Sequence, residues 1–236
     1  KGWSFQWKDG FRLERNDGYH KLKFGGRIQN DWAVIKQDNG LVNRGSNSNW
    51  ITGTEFRRAR LFFSGTLFER LIFNAQYDFA DGDPAFKDVF VGLLELGPID
   101  EVRVGHFKEP FGLEQLASSK YITFLERSLS SVFDPDRNTG VELQKAYLDQ
   151  RLTTTLSAFR VTDDFGSGFG NRDDYDIATR ITGLPYYGDE GKQLVHLGLG
   201  YYHGFRENRT VDYRQRPEMH MANRLLDTDR KSTRLN

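Results

Sequence analysis

Residues 70–80, Arg-Leu-Ile-Phe-Asn-Ala-Gln-Tyr-Asp-Phe-Ala, alternate between apolar and polar side chains. Successive side chains of a β-strand point to opposite faces, so this stretch predicts a strand with one oily face and one wet face. The oily face would carry Leu71, Phe73, Ala75, Tyr77 and Phe79. In a soluble sheet that face meets a core, whereas in an outer-membrane barrel it meets lipid and the polar face lines a water-filled lumen.

The composition of the chain excludes several classes of protein. The 236 residues include 33 basic and 33 acidic ones, so no net charge favours nucleic acid as a partner. No stretch approaches the roughly 20 apolar residues that a membrane-spanning helix needs. A barrel strand needs only about 9–11 residues, with apolar groups at every second one, so a membrane barrel stays possible. The chain has no Cys, and no disulfide framework is expected.

The pattern predicts about ten strands, and the connections between them alternate between short and long. The predicted ranges are Trp3–Arg15, His20–Ile35, Thr54–Phe68, Arg70–Ala80, Phe86–Glu95, Glu101–Phe107, Thr139–Lys145, Arg151–Val161, Asp174–Leu184 and Leu194–Gly204. Tight turns at one rim and longer loops at the other are typical of outer-membrane barrels. A Greek-key sandwich would need long crossovers that break this alternation of short and long connections. We therefore expect an all-β protein, an antiparallel up-and-down transmembrane β-barrel, with one domain over residues 1–230.

Basic side chains recur on the polar phase of the predicted strands. Those with the parity of the lumen are Arg27, Arg58, Arg60, Arg103 and Arg180. Arg57 falls on the opposite, lipid-facing phase, near a loop end where a cation still reaches water. Rings of guanidinium groups select anions, so an anion path is one interpretation. The alternative is that these arginines pair with carboxylates of the lumen, namely Asp31, Glu55, Asp78, Asp88 and Glu142.

A loop of about thirty residues, Lys108–Arg137, is the longest predicted connection and is rich in apolar side chains. Loops beyond roughly 12–15 residues are usually functional or disordered, and the apolar content argues against disorder. We expect the loop to fold inward, pack on the inner wall and narrow the pore. Its cations would then face the opening: Lys108, Lys120, Arg127 and Arg137. An outward cap or a subunit contact is the alternative.

Several motifs of the chain resemble the phosphate-selective porin O and P family. The most specific block is Val104-Gly105-His106-Phe107-Lys108-Glu109-Pro110-Phe111-Gly112-Leu113-Glu114, which continues into Ser118-Ser119-Lys120-Tyr121-Ile122-Thr123-Phe124-Leu125-Glu126-Arg127. Further matches are Gly10-Phe11-Arg12-Leu13, Leu22-Lys23-Phe24-Gly25-Gly26-Arg27-Ile28-Gln29, Phe56-Arg57-Arg58-Ala59-Arg60, Arg137-Asn138-Thr139-Gly140-Val141 and Arg216-Pro217-Glu218. The resemblance extends over residues 10–230.

This resemblance implies a sixteen-stranded, homotrimeric porin in the outer membrane of a Gram-negative bacterium. Phosphate or similar small anions would diffuse through it, and its other partner would be outer-membrane lipid. No cofactor, metal or nucleic acid is expected. We therefore expect the pore lining at Arg27, Arg57, Arg58, Arg60, Asp88, Lys108, Lys120 and Arg127, where Arg57 rests on the resemblance against its strand parity. Lys120 stands where the family often has Arg, which keeps the charge but loses the bidentate fork.

The length of the chain departs from that family. Ten strands, with the start of an eleventh near Glu218–Leu226, predict a fragment that forms the N-terminal part of the barrel. The segment Lys231–Asn236 fits no strand pattern and is expected to be a non-native tail. An enzyme is not expected, because the histidines are scattered and neither His106 nor His203 lies in a Ser or Cys context.

Two other functions stay open: a general, weakly selective porin, and a plugged structural or adhesive barrel. An excess of cations over carboxylates at the constriction would favour the anion pore. Equal numbers of cations and carboxylates, matched one to one, would favour the plug.

Overall fold

The computed structural model describes residues 2–36, 50–169, 174–207 and 212–228. Eleven strands form one antiparallel sheet, in which each strand pairs with its neighbours in sequence. They are β1 (Trp3–Trp7), β2 (Phe11–Arg15), β3 (His20–Lys36), β4 (Trp50–Leu67), β5 (Leu71–Asp78), β6 (Ala85–Leu96), β7 (Ile99–Lys108), β8 (Arg137–Tyr147), β9 (Leu152–Arg160), β10 (Tyr175–Gly188) and β11 (Gln193–Phe205). This order is the predicted up-and-down meander. The sheet is not closed, and β1 and β11 are its edges.

The remaining elements are short. The helix α1 (Leu113–Leu116) and the 3₁₀ helices Ala80–Gly82, Leu129–Phe133 and Asp189–Gly191 lie between strands. No helix within the described residues is long and apolar enough to cross a membrane.

The predicted first strand, Trp3–Arg15, is in fact a hairpin of two strands. Trp3 lies opposite Arg15, and Trp7 lies opposite Phe11. The chain reverses at Asp9 and Gly10, whose φ angles of 59° and 121° suit Asp and Gly. The prediction of one strand was wrong because the apolar alternation continues through this turn with unchanged parity.

The predicted eleventh strand near Glu218–Leu226 is also wrong, since this segment does not join the large sheet. Residues 212–228 instead contain a two-stranded sheet of β12 (Arg214–Gln215) and β13 (Leu226–Asp227). The predicted tail, Lys231–Asn236, lies outside the described residues. So do residues 37–49 of the predicted loop before β4, which begins at Trp50.

The two faces of the large sheet have the inverse polarity of a soluble protein. Ile28 and Trp32 on the apolar face are 77% and 78% exposed, while Arg58 and Glu142 on the polar face are 2% and 1% exposed. Among the described residues, 4 hydrophobic side chains are buried and 12 polar or charged ones are buried. An apolar exterior around a polar interior is the arrangement of a transmembrane β-barrel, which confirms the predicted fold class. We call the polar side of the sheet the inner face.

Aromatic side chains gather at the short-turn end of the sheet. Trp3 stacks on His20 with ring centroids 6.1 Å apart, and Tyr19 meets Phe68 at 5.6 Å. Trp32 lies toward the opposite end, where the longer loops are. Aromatic residues at both ends of an apolar band mark the two lipid–water interfaces of a membrane barrel.

The polarity of the faces predicts opposite effects for one charge at two neighbouring positions. Phe63 on the apolar face packs 5.1 Å from the ring of Phe73, and the next residue, Ser64, pairs with Asn74 on the inner face. We expect Phe63→Lys to lower the free energy of unfolding by about 2–4 kcal/mol, because a cation then faces lipid near mid-depth. Ser64→Lys serves as the control and should cost less than about 1 kcal/mol. Urea unfolding in lipid vesicles measures both, and equal losses would contradict the assignment of faces.

Candidate functional site

The segment between β7 and β8, residues 109–136, lies against the inner face, and we call it the inner loop. At one side, Arg27 Nη2 of β3 donates to Ser119 Oγ at 2.8 Å. At the other side, Arg180 Nη1 of β10 donates to the carbonyl of Phe111 at 3.0 Å, and the Phe111 ring lies 6.0 Å from Tyr202. The inner loop therefore contacts the wall from β3 to β11.

A β-bulge in β4 turns two successive arginines onto the inner face. Gln29 pairs with Arg58 and Asn30 pairs with Phe56, so Arg57 is the extra residue. Arg57 Nε and Arg58 Nη2 bind the Glu126 carboxylate of the inner loop at 2.6 and 2.9 Å. A bulge re-aims a side chain, and the lipid-facing phase predicted for Arg57 was wrong for this reason.

A cavity of about 360 Å³ lies between the inner loop and the wall from β3 to β8. One carboxylate, Asp88, contributes to its lining. The cations of the lining are Arg27, Arg60, Arg103, Lys108, Lys120, Arg127 and Arg137. A cleft lined mainly by one sign of charge focuses the electric field and raises the local concentration of counter-ions. We call this space the cationic cavity.

Three cations of the cavity form ion pairs along the wall, and a fourth, Lys120, lies 3.9 Å from the Asp9 carboxylate. The pairs are Arg60 with Asp78 at 2.6 Å, Arg137 with Asp88 at 3.0 Å, and Arg103 with Glu142. The Arg103 guanidinium also lies 4.6 Å from the ring centroid of Phe107. These pairs neutralise part of the charge, as the wall-stiffening interpretation predicts.

Three other cations of the cavity are held by neutral acceptors. Arg27 donates to the Ser119 hydroxyl, and Lys108 Nζ donates to the carbonyl of Gln115 at 2.5 Å. Arg127 donates to the carbonyls of Glu114 and Ala117 at 2.9 and 3.0 Å. In the part of the chain that the structure describes, no carboxylate lies at ion-pair distance from any of the three. Neutral acceptors satisfy the donors without cancelling the charge, so the cavity keeps an excess of positive charge.

Electrostatics within the inner loop follow from burial and hydrogen bonding. Burial lowers the pKa of Arg127, yet a guanidinium stays protonated at neutral pH. Hydrogen bonds from Ser128 and Ser131 lower the pKa of Glu114, which stabilises its carboxylate. Burial raises the pKa of Asp134 in the same loop. The loop is thus ordered by its own polar contacts as well as by the wall.

A second cavity of about 530 Å³ separates the inner loop from residues 212–224. This later segment docks on the loop, since the Glu126 amide donates to the Glu218 carbonyl at 3.0 Å. It also reaches β4, where His220 Nδ1 lies 2.8 Å from Glu55 Oε2. The lining mixes arginines such as Arg57 with several carboxylates, so this cavity has no dominant charge.

The structure brings most of the predicted site residues together. Six of the eight line the cationic cavity: Arg27, Arg60, Asp88, Lys108, Lys120 and Arg127. Arg57 lines the second cavity, and Arg58 is buried against Glu126. Arg103 and Arg137 also line this cavity although they were not among the eight; the strand parity of Arg103 and the loop position of Arg137 had both pointed inward. Gln76 and Ser119 also line the cationic cavity. The polar strand phase of Gln76 could have predicted its position, whereas Ser119 gave no such signal.

An antiparallel meander with an apolar outer face, and a loop that folds over its charged inner face, defines a transmembrane barrel of the porin type. The family model for phosphate-selective porin O and P matches residues 22–232, and the chain belongs to this family. It is similar to Porin O of Pseudomonas aeruginosa, with 24% identity over 225 residues, which are 91% of this chain and 48% of that protein. The chain therefore spans about half the length of the curated relative. The family implies a channel rather than an enzyme.

The double contact of Glu126 predicts that this carboxylate fastens the inner loop to the wall. Glu126→Ala would leave the buried Arg58 without its ion partner, and we expect it to lower the free energy of unfolding by about 3–5 kcal/mol. Glu14→Ala is the matched control, because Glu14 pairs with Lys21 at 3.2 Å on an exposed surface. An exposed pair contributes about 0–1 kcal/mol. Chemical unfolding in lipid measures both variants, and a small loss for Glu126→Ala would refute the fastening role.

Proposed function

We propose that this chain is part of an outer-membrane porin of a Gram-negative bacterium, through which phosphate or similar small anions diffuse. The observation that carries the proposal is the cationic cavity, whose lining has seven cations and one carboxylate. Membership of the phosphate-selective porin O and P family supports the same function.

Anion passage would depend on the cations that have neutral partners. Arg27, Lys108 and Arg127 approach the cavity from β3, β7 and the inner loop, so an anion between them would meet positive charge from three directions. Guanidinium forks and an ammonium group replace the water of hydration that a phosphate loses on entry. Diffusion requires binding that is strong enough for entry and weak enough for release.

The inner loop would act as the constriction of the pore. It contacts the wall from β3 to β11, and its own cations Lys120 and Arg127 line the cationic cavity. We assign Arg57 and Arg58 to holding this loop through Glu126, while Arg60 and Asp88 take part in wall ion pairs at the edge of the path. Lys120 is the more exposed of the two loop cations; although it lies 3.9 Å from Asp9 Oδ1, it would meet anions first.

The remaining partners follow from the outer face and from the family. The exposed apolar face and its aromatic ends support outer-membrane lipid as the surrounding medium. A closed sixteen-stranded barrel and a homotrimer are part of the proposal on the family resemblance alone.

The plugged structural barrel is the second candidate, because four cations of the cavity do form ion pairs with carboxylates. Complete pairing would leave no net charge to attract an anion. The neutral partners of Arg27, Lys108 and Arg127 favour the pore over this alternative.

Single-channel conductance of the complete protein in planar bilayers tests the proposal, with phosphate titrated against chloride current. We expect phosphate to block the chloride current, and Arg27→Gln or Arg127→Gln to raise the half-blocking concentration about tenfold, or about 1.4 kcal/mol. Arg70→Gln is the control, because Arg70 is exposed at a short turn and pairs with Glu95 at 3.6 Å. Current that is indifferent to phosphate would indicate a general porin. A complete absence of current would support the plugged barrel.

A further inference from the structure

Two carboxyl groups lie side by side at the base of the inner loop. Glu109, the first residue beyond β7, is 0% exposed, and Asp176 of β10 is 1% exposed. Asn138 of β8 bridges them, since its Nδ2 donates to Glu109 Oε1 at 2.7 Å and reaches Asp176 Oδ2 at 3.5 Å. The loop base and two strands therefore meet in one buried polar cluster.

Within the described part of the chain, one cation forms an ion pair with this pair of carboxyl groups. Arg206, which follows β11, donates to Asp176 Oδ1 at 2.5 Å and to the Tyr202 hydroxyl at 2.7 Å. Among the residues that the structure describes, the ionisable groups that face Glu109 are Asp176 from β10, Tyr202 from β11 and Arg206 beyond β11, while β8 supplies the neutral Asn138. Two ionised carboxylates against one guanidinium would leave a negative charge unpaired and closed off from water, which is unfavourable.

One oxygen of Glu109 also lacks a partner. Within the described residues, its buried Oε2 atom accepts no hydrogen bond. A proton on the Glu109 carboxyl would turn it into a donor toward the carboxylate of Asp176. That single proton would remove the excess charge and supply the missing hydrogen bond together.

We propose that Glu109 and Asp176 share one proton, and that this proton fastens the base of the inner loop to the wall. The proton comes from solvent at low pH, binds one Glu109 oxygen and returns to solvent at high pH. Burial, reinforced by the neighbouring Asp176, raises the pKa of Glu109 to about 8. The pair is therefore protonated at neutral pH and ionised under mildly alkaline conditions.

The direction of the pH effect follows from proton linkage. A carboxyl group with a higher pKa when docked binds more protons in the docked state, so docking weakens as the pH rises. The weakening begins above the ordinary Glu pKa of about 4.3 and ends once the pH has passed the raised value.

The adjacent residue links this cluster to the pore. Lys108 precedes Glu109 and lines the cationic cavity, so a loosened loop base would displace a cation of the anion path. This consequence for the current rests on the proposed function, whereas the shared proton and the docking do not.

Two measurements on the protein refolded in detergent or lipid test the proposal without requiring any current. Infrared difference spectroscopy should show a protonated carboxyl at about pH 6 that disappears by about pH 9, and Glu109→Gln should abolish this signal. Hydrogen-exchange protection of the amides in residues 109–117, corrected for intrinsic rates, should fall at least about tenfold over the same range. Glu109→Gln mimics the protonated group and should keep protection high at both pH values. Glu207→Gln, an exposed change at the same rim, should behave as the wild type.

Several outcomes would overturn the shared proton. They are the absence of a protonated carboxyl at about pH 6, a signal that survives Glu109→Gln, and protection that falls equally in wild type and Glu109→Gln. Should Glu109→Gln fail to fold, Asp176→Asn gives an independent check. It removes the neighbouring negative charge, so the Glu109 signal must titrate at a lower pH, and an unchanged titration would contradict the proposal.

Discussion

The structure depends on one constraint, which is that charged side chains of the strands cannot lie on the lipid-facing side. A cation on the lipid side near mid-depth costs roughly 2–4 kcal/mol, so the charged residues of the strands must be accommodated on the inner face. There, each buried charge needs a partner, and the wall alone supplies too few. The inner loop provides the rest, as Glu126 does for both Arg57 and Arg58. The loop and the wall are therefore parts of one network of polar contacts.

The charge of the cationic cavity is set by the kind of partner that each cation receives. Arg60 meets the carboxylate of Asp78 and is neutralised. Lys108 and Arg127 instead converge on the same carbonyls, those of Gln115 and Ala117, at the end of α1. A carbonyl dipole holds a cation in place without cancelling its charge. The fold of the inner loop thus preserves the positive field that a purely ion-paired wall would lose.

The sequence predicted the parts of this arrangement that obey a period of two. Alternation located the strands, the inner face and most of the lining, because side-chain direction follows directly from strand parity. It failed at Asp9, where parity runs unchanged through a turn, and at Arg57, where a bulge adds one residue. The partners of the inner loop were not predictable in the same way. Glu126 lies 68 residues from Arg58 in sequence, and no periodicity relates positions so far apart.

Buried charge on the inner face is handled in three physically different ways. An ion pair, as in Arg60 with Asp78 at 2.6 Å, neutralises the charge. A carbonyl acceptor, as for Lys108, keeps the charge. The pair of Glu109 and Asp176 has two carboxyl groups and one guanidinium, and a proton is the smallest partner that balances it in a site with no exposed surface. The shared proton exchanges with the solvent, so the base of the inner loop is a place where external pH acts directly on the position of the loop.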